Sequence, residues 1–177
     1  MNICVYCGSS CGNKEVFINK AYELGHWIGS KGHTLVYGGS NTGLMGAVAN
    51  GTLEKGGKVI GVVPNVPLIK ERTHKGVTEI IETDTMAERK TKMIELSDAF
   101  IAQPGGVGTL DEITEILSLS SLSIVKGKIV FYNVNGYYDP MKTVIKNIVD
   151  NGFGEDKYFK PVLFSDCVEE IEKFLMG

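Results

Sequence analysis

One run of ten residues brings together three glycines, a hydroxyl and two carboxylates. It spans Gln103–Glu112 and reads Gln-Pro-Gly-Gly-Val-Gly-Thr-Leu-Asp-Glu. Gly105, Gly106 and Gly108 allow positive φ angles and leave room for a ligand to approach the backbone. Thr109 adds its hydroxyl, and the first N–H groups of a helix that follows point into the turn. Because such helix ends commonly hold phosphate, the run predicts a phosphate site.

Glu112 lies about one turn into the predicted helix and is the candidate for chemistry. A carboxylate repels a phosphate, so Glu112 is expected to act on another part of the ligand. The alternative is that Glu112 only complements the helix dipole, as many first-turn acids do. The three glycines that directly precede it favour the functional interpretation.

Alternating strands and helices must position these groups. Short apolar runs predict strands, and periodic apolar positions predict helices. The predicted strands are Asn2–Tyr6, His33–Tyr37, Lys58–Val63, Glu79–Glu82, Ser97–Ala102, Lys128–Asn133 and Val162–Phe164. The predicted helices whose two ends the sequence defines are Lys14–Lys31, Thr109–Leu122, Met141–Asn151 and Val168–Met176. Asp166 is the predicted cap of the last one. Apart from the short strand it contains, Pro64–Glu82 is predicted to be irregular, because Pro64 and Pro67 oppose helix.

This alternation predicts one domain over residues 1–177. The expected fold class is α/β, a doubly wound, Rossmann-like and mostly parallel sheet with helices on both faces. In such sheets ligands bind outside the carboxyl ends of the strands, where the strand order reverses. The glycine-rich turns of this chain all follow predicted strands, so they are expected to meet at one edge of the sheet.

Two further small-residue turns follow the first two strands. The first is Cys7–Ser10, which offers Ser9, and the second contains Gly38, Gly39 and Gly43. Gly38 and Gly39 suggest backbone approach by a ligand, whereas Gly43 is also explained by close packing of a helix on the sheet. The spacing is not G-x-G-x-x-G, and no ribose-binding acid ends the third strand. These turns therefore predict a mononucleotide site and not a dinucleotide site.

A charged segment, Met86–Lys90, begins another predicted helix. The candidate caps are Thr83, Asp84 and Thr85. The ordinary interpretation of Arg89 and Lys90 is a solvated charged face shared with Glu88. Two cations near a helix start oppose the helix dipole, which favours a separate reason for their presence.

Composition limits the classes of function. The chain has 177 residues, 43% of them hydrophobic, 22% charged, and a net charge of −3. These values are typical of a soluble globular protein and disfavour nucleic-acid and membrane partners. We expect no signal peptide and a cytoplasmic location. Cys4-x-x-Cys7 has no second ligand pair, so the four cysteines are interpreted as reduced thiols and no metal site is expected.

Five segments occur in one order: Cys7–Ser10, Tyr37–Gly39, Gly43–Gly46, Met86–Lys90 and Pro104–Glu112. Together they resemble the LOG ("lonely guy") family, whose signature is PGGxGTxxE. Its members are cytokinin-activating nucleoside 5′-monophosphate phosphoribohydrolases, long labelled lysine decarboxylases. The resemblance covers nearly the whole chain.

The resemblance implies hydrolysis of the N-glycosidic bond of AMP and of N6-modified cytokinin nucleotides, giving free base and ribose 5-phosphate. It implies that Arg89 and Glu112 are catalytic and that Met86 and Lys90 contact the nucleotide. It also implies a homodimer and no metal or organic cofactor. The chain has Ala87 where the family usually has His, and Leu119–Ile124 replaces a Trp-x-Gln-Leu-Gly segment, so base preference stays open.

Two other functions compete with hydrolysis. Relatives of this fold carry molybdenum cofactor, and glycine turns alone would serve a non-catalytic nucleotide or cofactor carrier. A carrier has no need of the Arg89 and Glu112 pair, which favours the enzyme. Lysine decarboxylation would require a Schiff-base lysine and a pyridoxal site, and a domain of this size offers neither clearly.

Overall fold

Seven parallel strands form one sheet in the computed structural model, which describes residues 1–177. The strand order is β4-β3-β2-β1-β5-β6-β7. The strands are β1 Asn2–Tyr6, β2 Thr34–Tyr37, β3 Lys58–Pro64, β4 Glu79–Thr83, β5 Ala99–Ala102, β6 Lys128–Tyr132 and β7 Val162–Ser165. The predicted fold class is confirmed, and all neighbouring strands are parallel.

Seven α-helices and two 3-10 turns connect these strands. The helices are α1 Glu15–Ser30, α2 Gly43–Glu54, α3 Pro67–Lys70, α4 Met86–Glu95, α5 Val107–Ser121, α6 Asp139–Asp150 and α7 Val168–Met176. The 3-10 turns span Val134–Gly136 and Asp156–Phe159. None of the helices combines the length and the apolar character needed to cross a bilayer.

Helices cover both faces of the sheet because the strands carry apolar side chains on both sides. Ile3 and Val5 of β1 belong to a cluster of 23 buried residues packed under α1, α2 and α7. Cys4 and Tyr6 face the opposite way, into a cluster of 13 buried residues under α4 and α5. Burial on both faces explains why these strands have uninterrupted apolar sequences.

The strand order reverses between β1 and β5. From β1 the chain builds β2, β3 and β4 outward on one side, and then returns to place β5 against the other side of β1. Val5 pairs with Ile101, and Tyr6 pairs with Ala102. The loops after these two strands leave in opposite directions, which opens a crevice at their carboxyl ends.

Two local predictions are wrong. Helix α3 forms within the segment predicted to be irregular, because Pro67 stands in its first turn, where a missing N–H costs no hydrogen bond. Asp166 does not cap α7, whose N-cap residue is Cys167. The Ser165 hydroxyl instead accepts the Cys167 N–H at 3.1 Å.

Candidate active site

A cleft of about 410 Å³ opens where the strand order reverses. The turns after β1, β2 and β5 form its floor, and α3 and the starts of α4 and α5 form its walls. Segments distant in sequence therefore meet in one concave site, at the position that the fold class predicts.

The start of α5 presents unpaired backbone donors to this cleft. Gly106 is the N-cap residue, and the first helical hydrogen bond runs from the Leu110 N–H to the Gly106 carbonyl at 3.1 Å. The N–H groups of Val107, Gly108 and Thr109 have no acceptor in the protein. Unpaired donors at the positive end of a helix dipole suit a phosphate.

Three hydrogen bonds to backbone carbonyls fix the turn before α5. The Gly8 N–H donates to the Pro104 carbonyl at 3.1 Å. The Tyr138 hydroxyl donates to the Gln103 carbonyl at 2.6 Å, and the Tyr137 hydroxyl donates to the Gly105 carbonyl at 2.5 Å. Since these carbonyls are fixed, the N–H groups at the start of α5 keep a constant direction.

The glycines of this turn provide space and not unusual backbone angles. None of Gly105, Gly106 and Gly108 has a positive φ angle, so that part of the prediction is wrong. A Cβ at Gly105 would lie 2.1 Å from Oγ1 of Thr109, whereas a Cβ at Gly106 or Gly108 would meet no atom within 4 Å. Gly105 is needed for packing, and the other two keep the cleft open.

A capped helix start directs Arg89 into the protein. The Thr85 hydroxyl accepts the Glu88 N–H at 3.1 Å, and the Glu88 carboxylate accepts the Asp84 N–H at 2.9 Å. Thr85 is thus the cap among the three candidates. Glu88 has a capping role, and Arg89, only 5% exposed, is not part of a solvated charged face.

Arg89 and Glu112 form a buried ion pair beside the cleft. Nη1 of Arg89 donates to Oε1 of Glu112 at 2.7 Å, and Nε donates to the Val62 carbonyl at 3.1 Å. The two side chains are 7% and 8% exposed. Arg89 therefore spans from β3 to α5, and both charged groups border the same cavity.

Burial controls the titration of this pair. Burial raises the pKa of Glu112 above its ordinary value, and the nearby Arg89 guanidinium opposes that rise. Arg89 therefore limits the increase in the Glu112 pKa without reversing it. A carboxylate with a raised pKa is a stronger base than an exposed one, which suits proton abstraction from water.

The glycines after β2 accommodate neighbouring protein atoms. A Cβ at Gly38 would lie 2.1 Å from Nη2 of Arg89, so Gly38 leaves the path of the guanidinium free. Gly39 has φ +81°, and Gly43 has φ +59° and packs against the backbone of Ser9. Contacts within the protein explain these glycines, and approach of a ligand to the backbone at Gly38, which lines the cleft, stays a prediction.

Most of the residues predicted to bind substrate meet in the cleft. Those that line it are Ser9, Gly38, Met86, Arg89, Gly106, Gly108, Thr109 and Glu112. Those that do not line it are Gly39, Gly43, Lys90 and Gly105. Nζ of Lys90 lies 3.0 Å from carboxylate oxygens of both Asp111 and Glu115. Successive helical residues point about 100° apart, so Lys90 turns away when Arg89 faces inward.

The sequence did not predict the wall built by the segment after β3. Leu68, Ile69 and Arg72 line the cleft from this segment. Ser40 and Thr73 form an isolated antiparallel bridge that brings the segment over the turn after β2. This pairing is long-range and has no local motif, so nothing in the sequence pattern indicated it.

Comparisons with known proteins agree with this site. The family model described as "possible lysine decarboxylase" matches residues 45–175. Cytokinin riboside 5′-monophosphate phosphoribohydrolase LOG3 of Arabidopsis thaliana is 40% identical over 173 residues, which cover 98% of this chain and 80% of that protein. LOG2 of the same plant, with the same enzyme name, is 40% identical over 151 residues, covering 85% of this chain and 71% of that protein.

A solved structure shows the same fold. The molybdenum cofactor carrier protein of Chlamydomonas reinhardtii superposes with a TM-score of 0.74 and 22% identity, covering 99% of this chain and 97% of that one. At that identity the likeness supports the fold alone. The sequence relatives are closer, and this chain belongs to the family of the cytokinin riboside 5′-monophosphate phosphoribohydrolases, the LOG family.

Proposed function

We propose that this protein, as one nucleotide-binding domain over residues 1–177, hydrolyses nucleoside 5′-monophosphates to free base and ribose 5-phosphate. The substrates are AMP and N6-modified adenine nucleotides. The observation that carries the proposal is the buried Arg89–Glu112 pair, joined at 2.7 Å beside the unpaired N–H groups that start α5. The enzyme names of LOG2 and LOG3 support the same activity.

We assign each part of the nucleotide a place in the cleft. The 5′-phosphate binds at Gly106, Gly108 and Thr109, where the helix dipole favours negative charge. The ribose then lies over Glu112, one turn further along α5. Met45, Met86 and Leu68 give the remaining wall an apolar character that suits a base. The three parts of the substrate thereby fall along one continuous cleft.

Glu112 performs the central chemical role. As the C1′–N bond lengthens, positive charge develops on the ribose, and the carboxylate stabilises it. Glu112 also accepts a proton from the attacking water, whose hydroxide oxygen bonds to C1′. The base leaves with the bond electrons and takes up that proton, which returns Glu112 to its ionised form. Arg89 binds Oε1 and thereby orients the carboxylate, which leaves Oε2 as the oxygen that acts on the substrate.

Chromatographic detection of adenine released from AMP tests the proposal, with adenosine as the control substrate. Glu112→Gln keeps the shape of the side chain and loses its charge, so we expect AMP to bind while turnover falls at least ~100-fold. Near-normal turnover in this variant would refute the assignment of Glu112.

The competing functions make different demands on this cleft. A carrier requires the phosphate site but not a buried carboxylate beside it, so base release from AMP separates the two. A decarboxylase requires a Schiff-base lysine. No lysine lines the cleft, and Lys90 is engaged with Asp111 and Glu115.

Assembly and location complete the proposal. The protein forms a homodimer through the surface after α5, where Leu122 and Ile124 are 66% and 67% exposed. Apolar side chains this exposed favour burial against a second copy. We place the protein in the cytoplasm, because its four cysteines are all free thiols and disulfides are typical of secreted proteins.

A further inference from the structure

The charges that line the cleft cancel, with one exception. Four charged residues border the cavity: Arg72, Arg89, Asp111 and Glu112. Arg89 is paired with Glu112, and Asp111 is paired with Lys90. Arg72 makes no ion pair and donates no side-chain hydrogen bond within the protein. It is therefore the only uncompensated charge that a ligand meets there.

The backbone at Arg72 is fixed, although its side chain is exposed. The Arg72 carbonyl accepts the Asn41 N–H at 2.8 Å, and the His74 N–H donates to the Gly39 carbonyl at 2.8 Å. The His74 ring is hydrogen-bonded to the Asn50 side chain, with Nε2 and Oδ1 2.9 Å apart. These contacts fasten Arg72 and the residues that follow it to α2 and the turn before it, so its guanidinium starts from a defined position at the cleft.

The nucleotide supplies the charge that Arg72 lacks. A phosphate monoester carries between about −1.5 and −2 charges at neutral pH, whereas the end of a helix supplies about half a positive charge. The start of α5 alone leaves such an anion undercompensated. Adenine and ribose carry no charge, so the phosphate is the part of the substrate that a free guanidinium complements best.

We propose that Arg72 binds the 5′-phosphate together with the start of α5 and determines the preference for nucleotides over nucleosides. This inference deepens the proposed function and takes its substrate from it. Arg72 is a specificity-determining residue and has no part in bond cleavage. Its planar guanidinium makes two parallel hydrogen bonds to phosphate oxygens, which a lysine ammonium does not reproduce.

Ribose 5-phosphate and adenine, the two products, test the two ends of the cleft separately. Calorimetry measures binding of ribose 5-phosphate to the wild type and to Arg72→Gln, Arg72→Lys and Lys75→Ala. Lys75→Ala is the matched control, since Lys75 lies in the same segment, is exposed and does not line the cleft. Inhibition of AMP hydrolysis by adenine measures the base end in the same proteins.

We expect Arg72→Gln to weaken ribose 5-phosphate binding about 10- to 100-fold, the range for losing hydrogen bonds to a charged group. Arg72→Lys recovers part of the loss, and Lys75→Ala stays near the wild type. The KM for AMP rises in Arg72→Gln while kcat and inhibition by adenine stay nearly constant.

Three results overturn the inference. One is an unchanged affinity of Arg72→Gln for ribose 5-phosphate, and another is the absence of binding by the wild type. The third is a selective loss of adenine inhibition, which would place Arg72 against the base. The calorimetry requires no turnover, so it is separate from the test of hydrolysis. A wild type that binds ribose 5-phosphate through Arg72 but releases no adenine refutes only the proposed function.

Discussion

Replacing both members of the Arg89–Glu112 pair with apolar residues separates their role in folding from their role in chemistry. The single variant Arg89→Met leaves the carboxylate of Glu112, a residue only 7% exposed, without its partner at 2.7 Å. The double variant Arg89→Met/Glu112→Leu leaves no charge in the same space. Comparison of the two variants measures the cost of an unpaired buried charge.

The expected magnitudes follow from the burial of both side chains, which are 7% and 8% exposed. Breaking a buried ion pair by removing one partner costs about 3–5 kcal/mol. Replacing the whole pair with apolar residues is neutral or stabilising by about 1–4 kcal/mol. The Val62 carbonyl loses the Arg89 donor in both variants, so this term does not enter the comparison. The free energy of unfolding of the double variant is therefore expected to exceed that of Arg89→Met by at least about 3 kcal/mol.

Urea unfolding at pH 7 provides the assay. Trp27, the only tryptophan, is 7% exposed on α1, so its fluorescence reports loss of the core. We expect a lower midpoint for Arg89→Met, recovery in the double variant, and the same urea dependence in both. AMP hydrolysis is expected to fall strongly in Arg89→Met and to be lost in the double variant, which also lacks Glu112, so the double variant is stable and inactive.

The control for this experiment is Lys92→Met on the same helix. Lys92 pairs with Glu95 at the surface, and exposed pairs contribute little, so stability is expected to stay near the wild-type value. Equal destabilisation of Arg89→Met and the double variant would mean that lost packing, and not charge, dominates. The electrostatic account of the pair would then be wrong.

Three further predictions follow from the site and the dimer surface. The rate of AMP hydrolysis rises with pH through the pKa of Glu112, because the ionised carboxylate is the reactive form. Burial raises that pKa above its ordinary value of 4.5, so a rate that rises at or below pH 4.5 would contradict the assignment. Removing Arg89 shifts the limb of the residual activity to higher pH, since the cation lowers that pKa. Gly38→Ala displaces the guanidinium and lowers kcat about 10-fold or more, as small misplacements do, but has no further effect in Arg89→Met. Leu122→Glu produces a monomer in size-exclusion chromatography with light scattering, Val144→Glu on α6 does not, and a monomeric wild type would remove the dimer proposal.

Local patterns were sufficient to predict the sheet and the position of the cleft. Buried parallel strands have continuous apolar sequences, and each ligand turn directly follows one of them, as at Ala99–Ala102 and Pro104. The ends of parallel strands meet at one edge, so the turns could be placed together from the sequence alone. Thr85 was among the predicted caps because N-capping depends on only four residues.

The missed features depend on contacts between distant segments. Arg72 reaches the cleft through pairing of its segment with the turn after β2, which no sequence period encodes. The reason for Gly38 is the path of Arg89, 51 positions further along the chain. Lys90 is a different case, since helical geometry separates it from Arg89 by about 100° and could have excluded it from the start.

Gly106 and Gly108 stand where neither packing nor backbone angle excludes a side chain. Gly108 lies in the first turn of α5, where alanine would lose less conformational entropy on folding than glycine does. The stability of the fold therefore does not require glycine at these two positions, and selection for stability alone would replace Gly108. Descendants of this protein can lose the nucleotide while they keep the same architecture, and thermal melting would not reveal that loss.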